Sequence, residues 1–519
     1  MKRTRKDSKK NTKFIIIAIG LAVVLVASLA ATIGRPSNPN VQEEEKEEKK
    51  QLASYVINSR YIKEFEAPEN SEPVAINVNN GIVWFADSKE RRIIKFDPST
   101  QEFEEFPLPS NARSNIISIW SLVFDKDGNL WFQDAGANSI WRFYINEQRF
   151  EQYIIPTLPE GFGTSYPINI VFVNDKVWFS EIYGKKIGVL DPLKVKDKSS
   201  EGITEIEVAS NLETLGPLSV DKDNNIWFTA LTYPIKGELF KLDPDTLEFT
   251  KYDLPKNIAS PVGIAIDDNN RLWINDHGTS SIIIFDPVNN ITSSIVTSMP
   301  IKETSPYLYE ECIATNNIEE CGGLRASLPY WNIIVDDKLW FNEHYGNALA
   351  VLDIDDLTLI EYIIPTMNPN YARCEGYEPC GIANVLQFDI EGDKVWFTEW
   401  SEGKIGVLDA SIDIPISLEI DEPITLIRGS NTPINIRINA DEPLEAEMRV
   451  SATTSPFGTL RNLTASFDER IVKFEDKGSK DITLNILADP NLEASDYMLT
   501  ITAKLDDIMV AKIVKARVI

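Results

Sequence analysis

Two histidines, His277 and His344, are the only ones in 519 residues, and each falls four residues after a tryptophan, Trp273 and Trp340. Imidazole titrates near neutrality, so two of them at matching positions can pass protons or hold a divalent ion. Asp276, Glu343 and Glu378 are the nearest acids in this reading. His277, His344 and Glu378 are therefore the candidate catalytic and metal-ligating residues, with a divalent cation such as Mg as the only cofactor the pattern suggests. A plainer account makes both histidines polar loop ends that accept hydrogen bonds, since no ligand-spacing motif fixes a metal.

Four cysteines, Cys312, Cys321, Cys374 and Cys380, cluster in two stretches. An even count in an exported chain implies disulfides; Cys312–Cys321 with Cys374–Cys380 is the simplest of three pairings. Around them stand Tyr330, Trp331, Tyr377 and Trp400, together with Tyr307, Tyr309 and Tyr371. Stapled loops carrying aromatic area suit a ligand-binding surface.

A repeat must position these residues. Gly263-Ile-Ala-Ile-Asp-Asp-Asn-Asn-Arg-Leu-Trp273 followed by Ser281-Ile-Ile-Ile-Phe-Asp-Pro287 reads as strand, tight turn, strand, and a third strand ending in Asp-Pro. Its tryptophan recurs at Trp84, Trp131, Trp178, Trp227, Trp340 and Trp396, with spacings of 47, 47, 49, 46, 67 and 56 residues. That period accommodates four short strands and predicts a seven-bladed β-propeller over residues 58–411. The two long spacings hold the cysteines, so both insertions join consecutive blades and rise on the face that carries the histidines. The last copy lacks an outer strand, whereas Tyr61-Ile-Lys-Glu-Phe65 is an orphan of that type; the N-terminal strand should complete the seventh blade and leave no open edge. Acids recur three residues past the tryptophan, as Asp87, Asp134, Glu181, Asp276, Glu343 and Glu399. A position shared by so many blades points to bonding of backbone amides rather than to catalysis. Asp125-Lys-Asp-Gly-Asn129 begins like a calcium loop but has Gly136 where the bidentate Glu belongs, and it reads as a hairpin turn.

Residues 1–13 carry seven basic side chains and one acid, and 14–33 carry no ionisable group. This predicts a basic cytoplasmic segment (1–13), a transmembrane helix (14–34) and a charged stalk (35–57), with the bulk of the chain outside the plasma membrane. A cleaved signal peptide is the alternative, with small residues at Ser28-Leu-Ala30. The net charge of −28 becomes −34 without the first thirteen residues, which argues against nucleic acid as a partner. From residue 412 to 519 longer alternating strands without Trp predict an immunoglobulin-like β-sandwich, with Asp496-Tyr497 resembling a tyrosine corner. Asn290 and Asn462 are glycosylation acceptors where the host has the machinery.

Trp396-Phe-Thr-Glu399, Lys404-Ile-Gly-Val-Leu-Asp409, Trp178-Phe-Ser-Glu181 and Lys186-Ile-Gly-Val-Leu-Asp191 resemble the blade motif of the streptogramin (virginiamycin B) lyase family, over about residues 60–410. The resemblance implies a metal-assisted elimination that uses two histidines and two glutamates. Glu378 matches one of these glutamates; Cys380 stands where the basic His belongs, Pro329-Tyr-Trp-Asn-Ile333 replaces the other His segment, and Trp400 replaces the second Glu. A general base must take a proton near neutral pH, so three of four chemical positions are lost. The sequence therefore predicts a membrane-anchored propeller binding an extracellular ligand, glycan or envelope protein. A metal-dependent lyase or hydrolase with a rearranged site, and a structural envelope protein, are the alternatives.

Overall fold

Each repeat folds from its turn outward. In the computed structural model, Asp125 accepts the N–H groups of Asp127 and Asn129 on one carboxylate oxygen, while its other oxygen takes the indole N–H of Trp131 at 2.9 Å. Asp221 and Asp267 hold Trp227 and Trp273 in the same way, at 2.8 and 3.1 Å. The calcium-like segment is thus a hairpin turn whose Asp also fixes the tryptophan. The Gly of the Ile-Gly-Val motif answers the Phe after Trp: a Cβ at Gly188 would lie 2.0 Å from the Phe179 ring, and one at Gly406 would lie 2.1 Å from Phe397. Only glycine lets those rings lie across the neighbouring strand.

The structure describes residues 52–519 apart from 110–116, 211, 213, 233–235, 255–257, 259, 279, 299–326, 373, 375–377 and 455–462. The expected basic segment, membrane helix and most of the stalk, together with Tyr307, Tyr309, Cys312, Cys321, Tyr377 and Asn462, lie outside the described residues. Among the described residues no helix is long and apolar enough to cross a membrane. Tyr55–Val56 forms a short strand with Thr366–Met367, so the end of the segment expected as stalk is strapped to the propeller.

Seven antiparallel sheets surround one axis, blades 1 to 6 being residues 73–107, 122–154, 167–207, 214–253, 261–296 and 329–363. Blade 7 takes three strands from 385–409 and its outermost from Ile62–Glu66, which pairs with Lys404–Asp409. The ring closes as the orphan strand predicts.

Five of the seven blades are sealed to the next by the residue two after the Trp; blade 1 has Ala86 there, and in blade 3 the Ser180 hydroxyl has no partner among the described residues. Gln133, Thr229, Asn275 and Asn342 donate to inner-strand carbonyls of the next blade, at Ile168, Pro261, Tyr330 and Val385. Thr398 donates to Val74 at 2.9 Å and completes the circle.

The C-terminal residues join the propeller through a shared sheet. Strands within 416–518 form two sheets, and one is continuous with blade 6: Ile508–Val518 pairs antiparallel with the outer strand Thr358–Ile363. An outer blade strand is an open edge, and here the chain's last strand covers it. Blades 6 and 7 and both C-terminal sheets share one core, from Trp340 and Phe397 to Ile436, Leu484 and Val514.

Candidate functional site

The residue four after each blade Trp marks one face of the ring. Its N–H bonds the loop that enters its own blade: Ala135 to Ser118, Ile182 to Tyr166, His277 to Ser260, His344 to Leu328 and Trp400 to Asn384. His277, His344 and Trp400 are therefore equivalent positions in blades 5, 6 and 7.

The two histidine rings lie 5.5 Å apart, and Tyr330 lies 5.1 Å from His277. His277 Nδ1 donates to the Leu328 carbonyl at 3.3 Å, and His344 Nε2 donates to Asn384 Oδ1 at 2.9 Å. Each keeps one buried nitrogen with no partner, Nε2 of His277 and Nδ1 of His344. Burial, with His344 beside it, holds His277 down to about 3. Burial holds His344 to about 4 against the opposing bond to Asn384. Both imidazoles are neutral near pH 7, with lone pairs available but no tendency to take a proton.

The other candidates do not converge on this pair. Glu378 is exposed and bonds the Tyr55 phenol, raising its pKa. Cys380 is buried in a disulfide with Cys374, their Cα atoms 5.6 Å apart. Among the described residues no three of His, Cys, Asp and Glu are grouped to hold a metal. A magnesium ion asks for several oxygen ligands in octahedral array, and two imidazoles do not fit it. Asn290 is exposed at a hairpin turn.

Tyr330 is 7% exposed and belongs to an apolar plug over the axis with Val74, Trp120, Tyr166, Ile182 and Leu386, against which Trp331 and Trp400 pack. Tyr330 is thus a packing residue. Trp120 and Tyr166, joined at 3.4 Å, were missed because they lie in the blade-entry loops, where the repeat has no constant residue. Their signal is variation at one point of an otherwise regular pattern.

Beyond the plug, between blades 7 and 1, opens a cavity of about 310 Å³. Tyr371 and Trp400 line it with Glu66, Glu69, Glu72, Glu402 and Lys89. The two rings meet edge to face at 6.0 Å, Tyr371 is 40% exposed, and the Trp400 indole N–H has no partner. Glu402 is held by Ser54 at 2.8 Å and Asn368 at 2.6 Å, so the N-terminal strap forms part of the surroundings.

Fold and face together define a closed seven-bladed propeller with a plugged axis and an aromatic cavity beside it. Residues 47–282 match the Virginiamycin B lyase family, and the propeller is streptogramin lyase-like. The matched segment runs from before the first blade into blade 5; Glu378, Cys380 and Trp400 lie beyond it. The virginiamycin B lyase of Staphylococcus aureus has a similar fold, at TM-score 0.51 and 20% identity, over 67% of this chain and 98% of that one. A streptogramin B lyase structure is similar at TM-score 0.51 and 23% identity, over 67% and 97%. A catalytically inactive variant of the S. aureus enzyme with quinupristin is similar at TM-score 0.51 and 20% identity, over 67% and 98%. No curated protein matches the chain.

Proposed function

We propose that this chain is a membrane-anchored, outward-facing propeller that binds a glycan or an envelope protein through the cavity between blades 7 and 1. The observation that carries this reading is the pairing of an exposed Tyr371 with the Trp400 ring in a cavity of about 310 Å³, the buried Trp400 indole N–H having no partner among the described residues. Aromatic faces supply contact area, and an indole N–H supplies one directed hydrogen bond. The Cys374–Cys380 staple lies on the loop that carries Tyr371, which supports a preformed site. The strap at 52–56 would bring the tether from residues 14–34 out beside this cavity. The C-terminal sheets serve as an immunoglobulin-like support; the Tyr497 hydroxyl donating to the Glu493 carbonyl at 2.7 Å supports the tyrosine-corner comparison.

The lyase reading has less support. Its matched positions carry a disulfide sulfur, an indole and an exposed carboxylate, and both histidines are too weakly basic to act as general bases near pH 7.

The test is binding of the full detergent-solubilised chain to glycan and peptide arrays, with Trp400→Ala/Tyr371→Ala as comparison. Saturable binding that the double variant loses at least tenfold supports the reading. Binding that the double variant keeps would sink it. Protease added to intact cells should remove residues beyond the stalk, and full protection would overturn the outward orientation.

A further inference from the structure

Blades 3 and 7 each hold a part-buried ammonium group in the same kind of pocket. Lys186 Nζ lies 2.5 Å from Thr157 Oγ1 and 3.1 Å from Glu205 Oε2. Lys404 Nζ lies 3.1 Å from Thr366 Oγ1 and 3.4 Å from Glu64 Oε2. In both pockets the other oxygen of the outer-strand Glu accepts the backbone N–H of that threonine at 2.9 Å. The blade acid, Glu181 or Glu399, pairs in register with the lysine.

Blade 6 repeats this arrangement without the lysine. Glu343 pairs in register with Ala348, and Glu361 sits on the outer strand where Glu205 and Glu64 sit. Ser298 replaces the threonine, its N–H bonding Glu361 Oε1 at 2.9 Å. Among the described residues Glu361 Oε2, the counterpart of the atom that binds ammonium in the sister blades, is buried with no hydrogen-bond donor unless it shares a proton with the neighbouring Glu343. Glu343, Ala348 and Glu361 are 0% exposed and Ser298 is 2% exposed, so water does not supply the missing charge. The buried Arg449 guanidinium, paired with Glu447 at 3.1 Å, also acts on Glu361 through its charge but does not occupy the lysine's place.

We infer that a free monovalent cation of ammonium size, potassium being the ordinary one, takes the place of the absent lysine between Glu343, Glu361 and Ser298. All the available donors are oxygens, which suits a hard cation. The ion would join parts distant in sequence. Ser298 and Ser327 flank the cysteine-bearing insertion, and Ser298 Oγ meets Thr502 Oγ1 of the C-terminal sheets at 3.0 Å. The ion would therefore fasten the insertion and the C-terminal sheets to blade 6.

A ligand that binds only the folded chain raises the melting temperature with its concentration. The full chain should melt several degrees higher in potassium, rubidium or ammonium chloride than in choline chloride at equal ionic strength. Ala348→Lys, which restores the tethered ammonium, should melt equally in all of them. Because a buried lysine can itself prevent folding, crystals of the unaltered chain grown with rubidium or thallium give an independent reading, an anomalous peak beside Glu361 Oε2. Equal melting in potassium and choline, with no such peak, overturns the inference. So does a melting temperature that falls as pH rises equally in both salts, which would mean that the two carboxyls share a proton instead.

Discussion

Blades that carry Asp three residues past the tryptophan and blades that carry Glu there use the position for different work. Asp87 accepts the N–H groups of Glu72, Lys89 and Glu90, at 3.0, 3.0 and 3.3 Å. Asp276 accepts those of Ser260 and Gly278, at 2.6 and 3.3 Å. These short side chains tie down the loops on the candidate face, as the repeat position implies. Among the described residues Glu181, Glu343 and Glu399 accept no loop amide on either oxygen. The extra methylene carries the carboxyl past the loop amides toward the outer strand, where a second acid waits: Glu205, Glu361 or Glu64. Burial first, then that neighbour, pushes Glu181 up to about 8 and Glu343 and Glu399 well above the carboxylate range. The extra methylene frees the carboxyl from the loop amides, whereas Asp87 in blade 1 keeps those bonds and still takes Arg92 Nε at 2.9 Å on its other oxygen.

The sharpest way to break this comparison is to remove the cation from a complete pocket. Lys404→Met leaves the part-buried Glu64 carboxylate with only its two bonds from Thr366 and should cost about 3 kcal/mol in denaturant unfolding. Lys186→Met should cost less, because Lys186 is 28% exposed against 14% for Lys404. A Lys404→Met chain as stable as the parent would show that the pocket does not depend on its charge balance.

A pH series separates the two kinds of acid. Folded Glu181 keeps its proton to about pH 8, whereas the unfolded chain releases it near 4.5. The folded state therefore binds more protons between these values, and its stability falls as pH rises through the window. Glu181→Gln cannot titrate and should gain on the parent by roughly 1 kcal/mol per pH unit from 5 to 8. Asp276→Ala loses the two loop bonds and should cost about 2 kcal/mol at any neutral pH, measured by thermal unfolding.

Much of the ring was legible because it repeats. Seven tryptophans, the Asp turns and the orphan strand at Tyr61 each report a local physical need that recurs, so the pattern exceeds the noise of any single copy. The site was less legible for the opposite reason. Trp120, Tyr166 and Tyr371 lie in loops where blades differ, and no periodicity marks them. Glu378 is expected near the histidines, yet the exposed bend inside the Cys374–Cys380 loop turns it toward Tyr55. The junction with the C-terminal sheets was hidden because Ile508–Val518 reads like any alternating strand, and nothing local says that its partner lies about 150 residues earlier. The lost lysine at Ala348 becomes visible only when strand registers are compared.

The finest test concerns how the circle is sealed. Thr398 and Thr229 make the same bond to the next blade's inner strand, at 2.9 and 2.8 Å. The seam closed by Thr398 joins the last blade to the first, and the other joins blades consecutive in the chain. If the outer strand Ile62–Glu66 alone holds the ends together, the two threonines are equivalent. Thr398→Val and Thr229→Val should then each cost about 1 kcal/mol, the net worth of one buried hydrogen bond. Hydrogen exchange of the Val74 and Pro261 strands would report the local opening. A cost at Thr398 several times that at Thr229, with early exchange of residues 73–79, would instead make the last seam the place where the ring opens. The candidate cavity, which lies across that seam, would then open with it.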